Sequence, residues 1–397
     1  MTLSYQIYET IDQVPVDDWR EASQEDSHGF MDPNFLRAVE RGLEGQARIY
    51  HVLIHEEGGK PVACASLSLM PVDLLLLAGP RVQKAVGWVR KLAPNLGKVN
   101  VLMCGLPFSA GQSHLAFAPD ADRARAVLLL DTLLRQLART HRARLIVFKE
   151  FGDDARAYLD PLQERGYCRA PSPASYVMPK SFASLADYCA ALKRHYRYNI
   201  RSSQQKFERA GCRVVHLEDP EEIRRVYTPE VHRLYEAVVA KADLKLEVLP
   251  HSFFHELAAQ LPGRATLTVL YRQERLIALA WGLAAGPESH GLFCGIDADH
   301  NAECDLYFNV VYQYLDYAYR RGSKLITLGQ TAESFKTRLG CVGKARHVYV
   351  RGAGPLVSWV LQRSASFLFP DRPITPAHDV FKAIEPARPR KQTLPVG

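Results

Sequence analysis

Residues 265–296 read ATLTVLYRQERLIALAWGLAAGPESHGLFCGI. Polar and apolar residues alternate over 265–269, apolar Leu270 and Tyr271 carry the segment to Arg272, and an apolar run follows over 276–285, with Gln273-Glu274 between the two segments. That pattern predicts a β-hairpin. A third strand is expected over 290–296. After it the spacing predicts a helix over about 302–321, stopped by Gly322, then a buried strand over 324–328. A short helix over 332–339 stopped by Gly340 and a last strand over 347–351 complete the series. Upstream lie a basic helix over 182–210 ending at Gly211, a strand over 212–217, and a helix opened by Asp219-Pro220-Glu221. A strand, a helix and a strand in this order need a parallel crossover, so the sheet is mixed. Such sheets bind ligands in crevices beyond their strand ends.

The first half repeats this order loosely. Segments 48–56 and 61–69 flank Gly58-Gly59 as a hairpin, and 99–104 is the next strand. A helix over 121–139, a strand over 145–148, a helix over 153–165 and a short strand over 176–179 follow. Met103-Cys104-Gly105-Leu106-Pro107 echoes Phe293-Cys294-Gly295-Ile296-Asp297, which suggests an internal duplication. The boundary is expected near 170–180, where Pro171 and Pro173 give a linker-like stretch.

A chain of 397 residues, 47% hydrophobic and 23% charged, suits two globular domains. Its start has no apolar core of the signal-peptide kind, and no apolar run is long enough to span a bilayer. The eight cysteines form no CxxC pair, which predicts reduced thiols in a cytoplasmic protein and neither a disulfide frame nor a metal site. The net charge of +7 suits an anionic partner without choosing among a phosphate-rich cofactor, an acidic carrier, tRNA and a membrane surface.

Residues 290–340 carry Cys294-Gly295-Ile296-Asp297, Asp305-Leu306-Tyr307-Phe308-Asn309, Leu328-Gly329-Gln330-Thr331 and Phe335-Lys336-Thr337-Arg338-Leu339-Gly340. With the basic helix around 193–208, these resemble the BioF2-like and FemAB-like branch of the GNAT acyltransferase superfamily. The resemblance implies an α/β fold of two tandem GNAT-like domains, each a mixed sheet with helices on both faces. The domains would be 1–175, with an insertion at 71–98, and 180–370, the catalytic one, followed by an irregular Pro/Arg-rich tail over 371–397. The implied activity is transfer of an acyl or aminoacyl group to an amine. The glycine-rich pyrophosphate loop of ordinary GNAT enzymes is absent. Asp299-His300-Asn301-Ala302-Glu303-Cys304-Asp305 stands in its place, and acids there oppose phosphate binding at a helix N-terminus.

Amide formation from a thioester or ester needs an acceptor for the amine proton, donors for the oxyanion and a proton for the leaving group. Asp297, at a strand end, is the candidate base, with His300 as an alternative, although an Asp in Asp-Ala-Asp-His-Asn also suits a simple Asx turn. Tyr307 is the candidate acid, weighed against packing in a helix with five tyrosines. Gln330 and Thr331 follow a strand end and could orient the acceptor or donate to the oxyanion. Lys336 and Arg338 do not share a helix face, and Lys336 is the candidate ligand for a donor phosphate. Asn301, Asp305 and Asn309 are candidates for substrate binding. Cys294 is read as a buried strand thiol lining the site more readily than as a nucleophile. Arg194, Arg197 and Arg201 fall on one stripe, suited to an acidic carrier or an RNA backbone, or to plain solvation.

Within the insertion, Val82, Ala85, Val86, Val89 and Leu92 would form one face of a cationic amphipathic helix. Such a helix either packs on its own domain or lies in a membrane interface. The latter would place the protein at the inner face of the membrane and suit a long-chain, sphingoid-type amine. Three readings result: an N-acyltransferase using acyl-CoA or acyl carrier protein as co-substrate, with no tightly bound cofactor, no metal and a small amine as acceptor; a transferase dependent on aminoacyl-tRNA; and a non-catalytic GNAT-fold binding protein.

Overall fold

A computed structural model describes residues 2–26, 28–73, 98–108, 111–241, 248–355, 357–359, 361, 363, 369 and 372–382. Its first meander is β1 (Leu3–Tyr8), β2 (Arg48–Glu56), β3 (Pro61–Asp73) and β4 (Lys98–Cys104), each antiparallel to the next. A short β5 (Leu115–Phe117) lies against β3. The Arg123–Thr140 helix then crosses to β6 (Leu145–Phe151), which pairs parallel with β4. After β7 (Cys168–Met178) the scheme recurs. β8 (Cys212–Leu217), β9 (Ala265–Arg272), β10 (Arg275–Ala285) and β11 (Glu288–Ile296) form a second antiparallel meander. The Leu306–Arg320 helix crosses to β12 (Leu325–Thr327), parallel to β11, and β13 (Val342–Gly352) is last.

The mixed sheets expected from the hairpin and crossover patterns are both present. They also fuse: among the described residues the strand order is β1-β2-β3-β4-β6-β13-β7-β12-β11-β10-β9-β8. The last strand of each half is inserted next to the other half. β13 pairs with β6, and β7 pairs with β12. The stretch read as a linker is therefore a central strand. Pro171 and Pro173 are tolerated there because β7 bulges, Pro173 and Ala174 standing opposite one residue between Ser172↔Arg346 and Ser175↔Lys344.

Two expected helices are broken. The 182–210 stretch forms Leu185–Ala191 and Arg194–Arg209, with Leu192 extended between them. The chain's own distal segment runs alongside the break: Lys193 N donates to Val380 O at 2.8 Å and Lys382 N to Ala191 O at 2.9 Å. The second break is at Asp305, whose φ of 47° separates Ala298–Cys304 from Leu306–Arg320. Aspartate is among the few residues that enter the left-handed region without heavy steric cost.

One hydrophobic core spans both halves. Trp19, Phe30 and Phe35 from the first forty residues cluster with Phe253, Phe254 and Trp281. Phe108 joins them, its ring 5.3 Å from that of Phe253. A second core lies under the Leu306–Arg320 helix and includes Tyr176, Tyr188, Tyr314 and Tyr319. No described helix is long and apolar enough to cross a membrane. The amphipathic reading of 71–98 falls mostly on 74–97, outside the described residues; Asp73 and Lys98, on either side, are paired as β3 meets β4. Of the distal tail, 372–382 is described and is irregular apart from a bridge between Phe381 and Leu192.

Candidate active site

β11 and β12 pair over three positions only, ending at His290↔Thr327. Past that point they part. The backbone after β12 turns to β7, with Leu328 N donating to Tyr176 O at 2.9 Å and Tyr176 N to Gly329 O at 3.0 Å. β11 continues to Ile296 bonded to β10 alone. The result is a wedge with one strand edge, 291–296, free of a partner among the described residues. Gly329 turns the far wall at φ +69°, in a region that favours glycine. A Cβ there would stand 3.6 Å from Gly291 O and 4.0 Å from Lys336 Nζ.

The Lys336 side chain is the main polar group of this wedge. The Glu333–Arg338 helix turns it inward, leaving it 5% exposed. Its ammonium lies over the Tyr176 ring, 5.8 Å from the centroid, and makes no hydrogen bond or ion pair among the described residues. Burial lowers it to about 8, since water that would solvate the charge is excluded. The Cys294 thiol lies within electrostatic reach of Lys336 and of Tyr307, and burial raises it. The Tyr307 ring packs on Phe335 at 5.4 Å, and its hydroxyl has no hydrogen-bond partner among the described residues. Burial raises this phenol as well, so it keeps its proton at neutral pH. Leu328, Ile296 and Cys341 belong to the same apolar cluster. A buried cation, an undissociated phenol and a free strand edge between apolar walls can together receive an activated carbonyl.

The other candidates lie elsewhere. The Asp297 carboxylate caps the Ala298–Cys304 helix through Asp299 N at 3.0 Å, and it pairs with Arg275 at 2.8 Å and His300 at 3.2 Å. Gln330 donates to Pro173 O at 2.8 Å, and Thr331 is exposed. Asn301 accepts from Tyr307 N at 3.0 Å, which holds the start of the next helix. Asp305 pairs with Lys206 at 3.0 Å. Asn309 is fully buried and donates to Ser203 O and Cys304 O, a packing role. Arg338 is exposed and bonds back to Ser334 O. Arg201 lines a surface depression of about 460 Å³ with Cys189, Asp316 and Arg320, away from the wedge, and Arg197 is half-buried on the same helix. The structure thus brings Cys294, Tyr307 and Lys336 together, while Asp297 and Gln330 engage separate partners.

Tyr176 was not foreseen. It comes from β7, and nothing in its local sequence signals that this strand crosses to the second half. The first half has no comparable opening among the described residues. β4 stays paired with β6 through its last residue, Cys104↔Phe148. Its buried Lys149 is fully engaged, donating to Leu106 O at 3.0 Å and Phe108 O at 2.9 Å.

Residues 194–337 match the profile of the Acetyltransferase (GNAT) domain, and this segment contains the wedge. No curated protein sequence matches the chain. Among solved structures, the chain resembles FemX with a TM-score of 0.53 at 11% identity, over 88% of this chain and 97% of that one. A tandem GNAT protein from the clavulanic acid biosynthesis pathway aligns with a TM-score of 0.51 at 12% identity, over 89% and 99%. The C-terminal domain of a putative lysylphosphatidylglycerol synthetase from Agrobacterium fabrum aligns with a TM-score of 0.52 at 11% identity, over 90% and 98%. Likeness at such identities speaks to the fold alone. The chain therefore has the fold of tandem GNAT proteins, and within it residues 194–337 match the Acetyltransferase (GNAT) domain.

Proposed function

We propose that the chain is an N-acyltransferase that binds an acyl thioester in the wedge between β11 and β12 and passes the acyl group to an amine. The observation that carries this reading is the buried Lys336 ammonium, without a hydrogen bond or ion pair among the described residues, at the point where the strands part. In an apolar wedge a fixed cation stabilises a developing oxyanion far better than it would in water. The amine nitrogen attacks the carbonyl carbon, and the oxyanion forms beside Lys336. The carbon–sulfur bond then breaks as Tyr307 gives its proton to the leaving thiolate. The amine's surplus proton passes to water, which restores the phenol.

The donor proposed is acyl-CoA. A competing donor, aminoacyl-tRNA, draws support from one observation: Asp297 already caps an amide at the start of the Ala298–Cys304 helix, where a pyrophosphate would otherwise sit. The exposed Arg194 and Arg201 would then face the donor's phosphates.

The test offers the purified chain acyl-CoA thioesters of increasing length with a panel of primary amines, and in parallel aminoacyl-tRNA with the same amines. Thiol release and amide product are followed. Amine-dependent release of CoA thiol that is lost in Lys336→Met supports the proposal. Product from aminoacyl-tRNA alone replaces the donor, and equal turnover in Lys336→Met overturns the mechanism.

A further inference from the structure

At the apex of the wedge, three donor atoms converge that the acyl-transfer chemistry does not use. His28 Nδ1 lies 2.7 Å from Glu288 Oε2, and His290 Nε2 lies 3.6 Å from the same oxygen. All three donor atoms fall within 4.8 Å of one another. His28 comes from the N-terminal half, whereas Glu288 and His290 open β11. His290 is also the last residue of β11 to pair with β12.

The imidazole of His290 is 1% exposed, and its enclosed Nε2 has no hydrogen-bond partner among the described residues. Its other nitrogen, Nδ1, is bonded to the Thr327 hydroxyl at 2.8 Å. If Nδ1 carries the proton, Nε2 presents a bare lone pair toward a carboxylate oxygen. That pairing is repulsive unless a cation lies between the two. A metal with ligand bonds of 2.0–2.1 Å in tetrahedral geometry separates its donor atoms by about 3.3 Å, close to the spacing here.

The surroundings suit such a site. A hydrogen bond on the distal nitrogen of a histidine fixes the tautomer that ligates, and Thr327 supplies it for His290. The Phe30 ring packs edge-on at 5.0 Å from His290, an apolar shell on one side. His28 keeps its side chain 35% exposed, which leaves an entry path. Its loop is pinned: a Cβ on Gly29 would stand 2.7 Å from Ala285 Cβ, and Arg264 of the same region pairs with Asp32 at 2.7 Å.

We propose that His28 Nδ1, Glu288 Oε2 and His290 Nε2 bind a divalent transition metal, zinc by the chemistry of the donor set, with a fourth position left to solvent. The ion would clamp the N-terminal loop to the strand pair at the point where the wedge opens. This proposal stands apart from the acyltransferase reading and requires no turnover.

The full chain is stripped with a chelator, dialysed, and titrated with Zn²⁺ by calorimetry and with Co²⁺ by visible absorption. The expected result is one saturable equivalent, intense cobalt d–d bands of a four-coordinate site, and a zinc-dependent rise in melting temperature. His28→Ala alters a partly exposed loop residue and leaves the core intact. It should lose the cobalt bands and the zinc-dependent rise while keeping the metal-free circular dichroism of the parent. Thr327→Val, which removes only the bond to His290 Nδ1, should weaken affinity about 10–100-fold. Absence of a saturable equivalent in the parent overturns the proposal. So does a site that His28→Ala leaves with unchanged affinity and spectrum.

Discussion

Lys336 and Tyr176 meet across the seam between the halves, the ammonium 5.8 Å from the centre of the phenol ring. The lysine comes from the GNAT-profile segment, the tyrosine from β7, a strand that precedes that segment in sequence. A cation over an aromatic face gains about 0.5–2 kcal/mol, which does not replace the hydration lost on burial. The charge is thus held at a net cost to folding, a pattern expected where a group serves chemistry more than stability.

Lys336→Met should therefore raise stability while removing activity. A shift from 10.5 to about 8 corresponds to roughly 3 kcal/mol held against the charged form. The cost is fully present below pH 8, where the folded chain must keep the proton. It fades as pH rises from about 8 to 10.5, because the folded state sheds its proton before the unfolded state does. Urea unfolding of parent and variant should show the variant ahead at pH 7, with the gap closing toward pH 10. A variant less stable than the parent at pH 7 would mean that the ammonium has a partner in solution.

The same shift sets a rate profile. If the ammonium stabilises the oxyanion, kcat/KM falls as pH rises through about 8, since the deprotonated amine has no charge to offer. If neutral Lys336 acted as the base, the limb would rise over that range. Initial rates between pH 6.5 and 9.5, with thiol release corrected for uncatalysed hydrolysis, separate the two.

Tyr307→Phe retains the ring contact with Phe335 and deletes only the hydroxyl. Turnover should drop about 10²-fold with a CoA thioester, the low end for general-acid loss. The loss should shrink with a donor whose leaving thiol is more acidic, because that thiolate departs without help. An equal loss for both donors would assign the hydroxyl to binding.

The hairpin of β9 and β10 was readable because alternation and turn residues are local signals, and the strand-helix-strand crossovers followed from segment order. What could not be read depends on contacts distant in sequence. The helix breaks at Leu192 and Asp305 have no glycine or proline to mark them; the first is flanked by residues near Val380 and the second is a left-handed aspartate. The prolines of β7 argue for a linker until the bulge that accommodates them is known. Sequence singles out Lys336 as a candidate phosphate ligand but not its burial, because a helix as short as Glu333–Arg338 does not reveal which face turns inward. The exchange of β7 and β13 between halves has no sequence signature, so Tyr176 could not be placed under Lys336 beforehand.

Asp297 separates a reading of sequence position from a reading of contacts. At the end of β11 it is well placed for a base, yet its Oδ1 accepts from Asp299 N and its Oδ2 faces Arg275 and His300. Asparagine caps a helix about as well as aspartate, so Asp297→Asn keeps the cap. The ion pair it removes involves a mostly exposed Arg275, and such pairs are worth about 0–1 kcal/mol. Stability should therefore change by less than about 1 kcal/mol. Its oxygens are already engaged by an amide and two neighbouring side chains at the far end of β11, so kcat should fall by less than about tenfold, below the range for loss of a general base. A fall of about 10²-fold or more with the melting temperature unchanged would return the base role to Asp297 and shift the site of proton transfer from the wedge to the far end of β11.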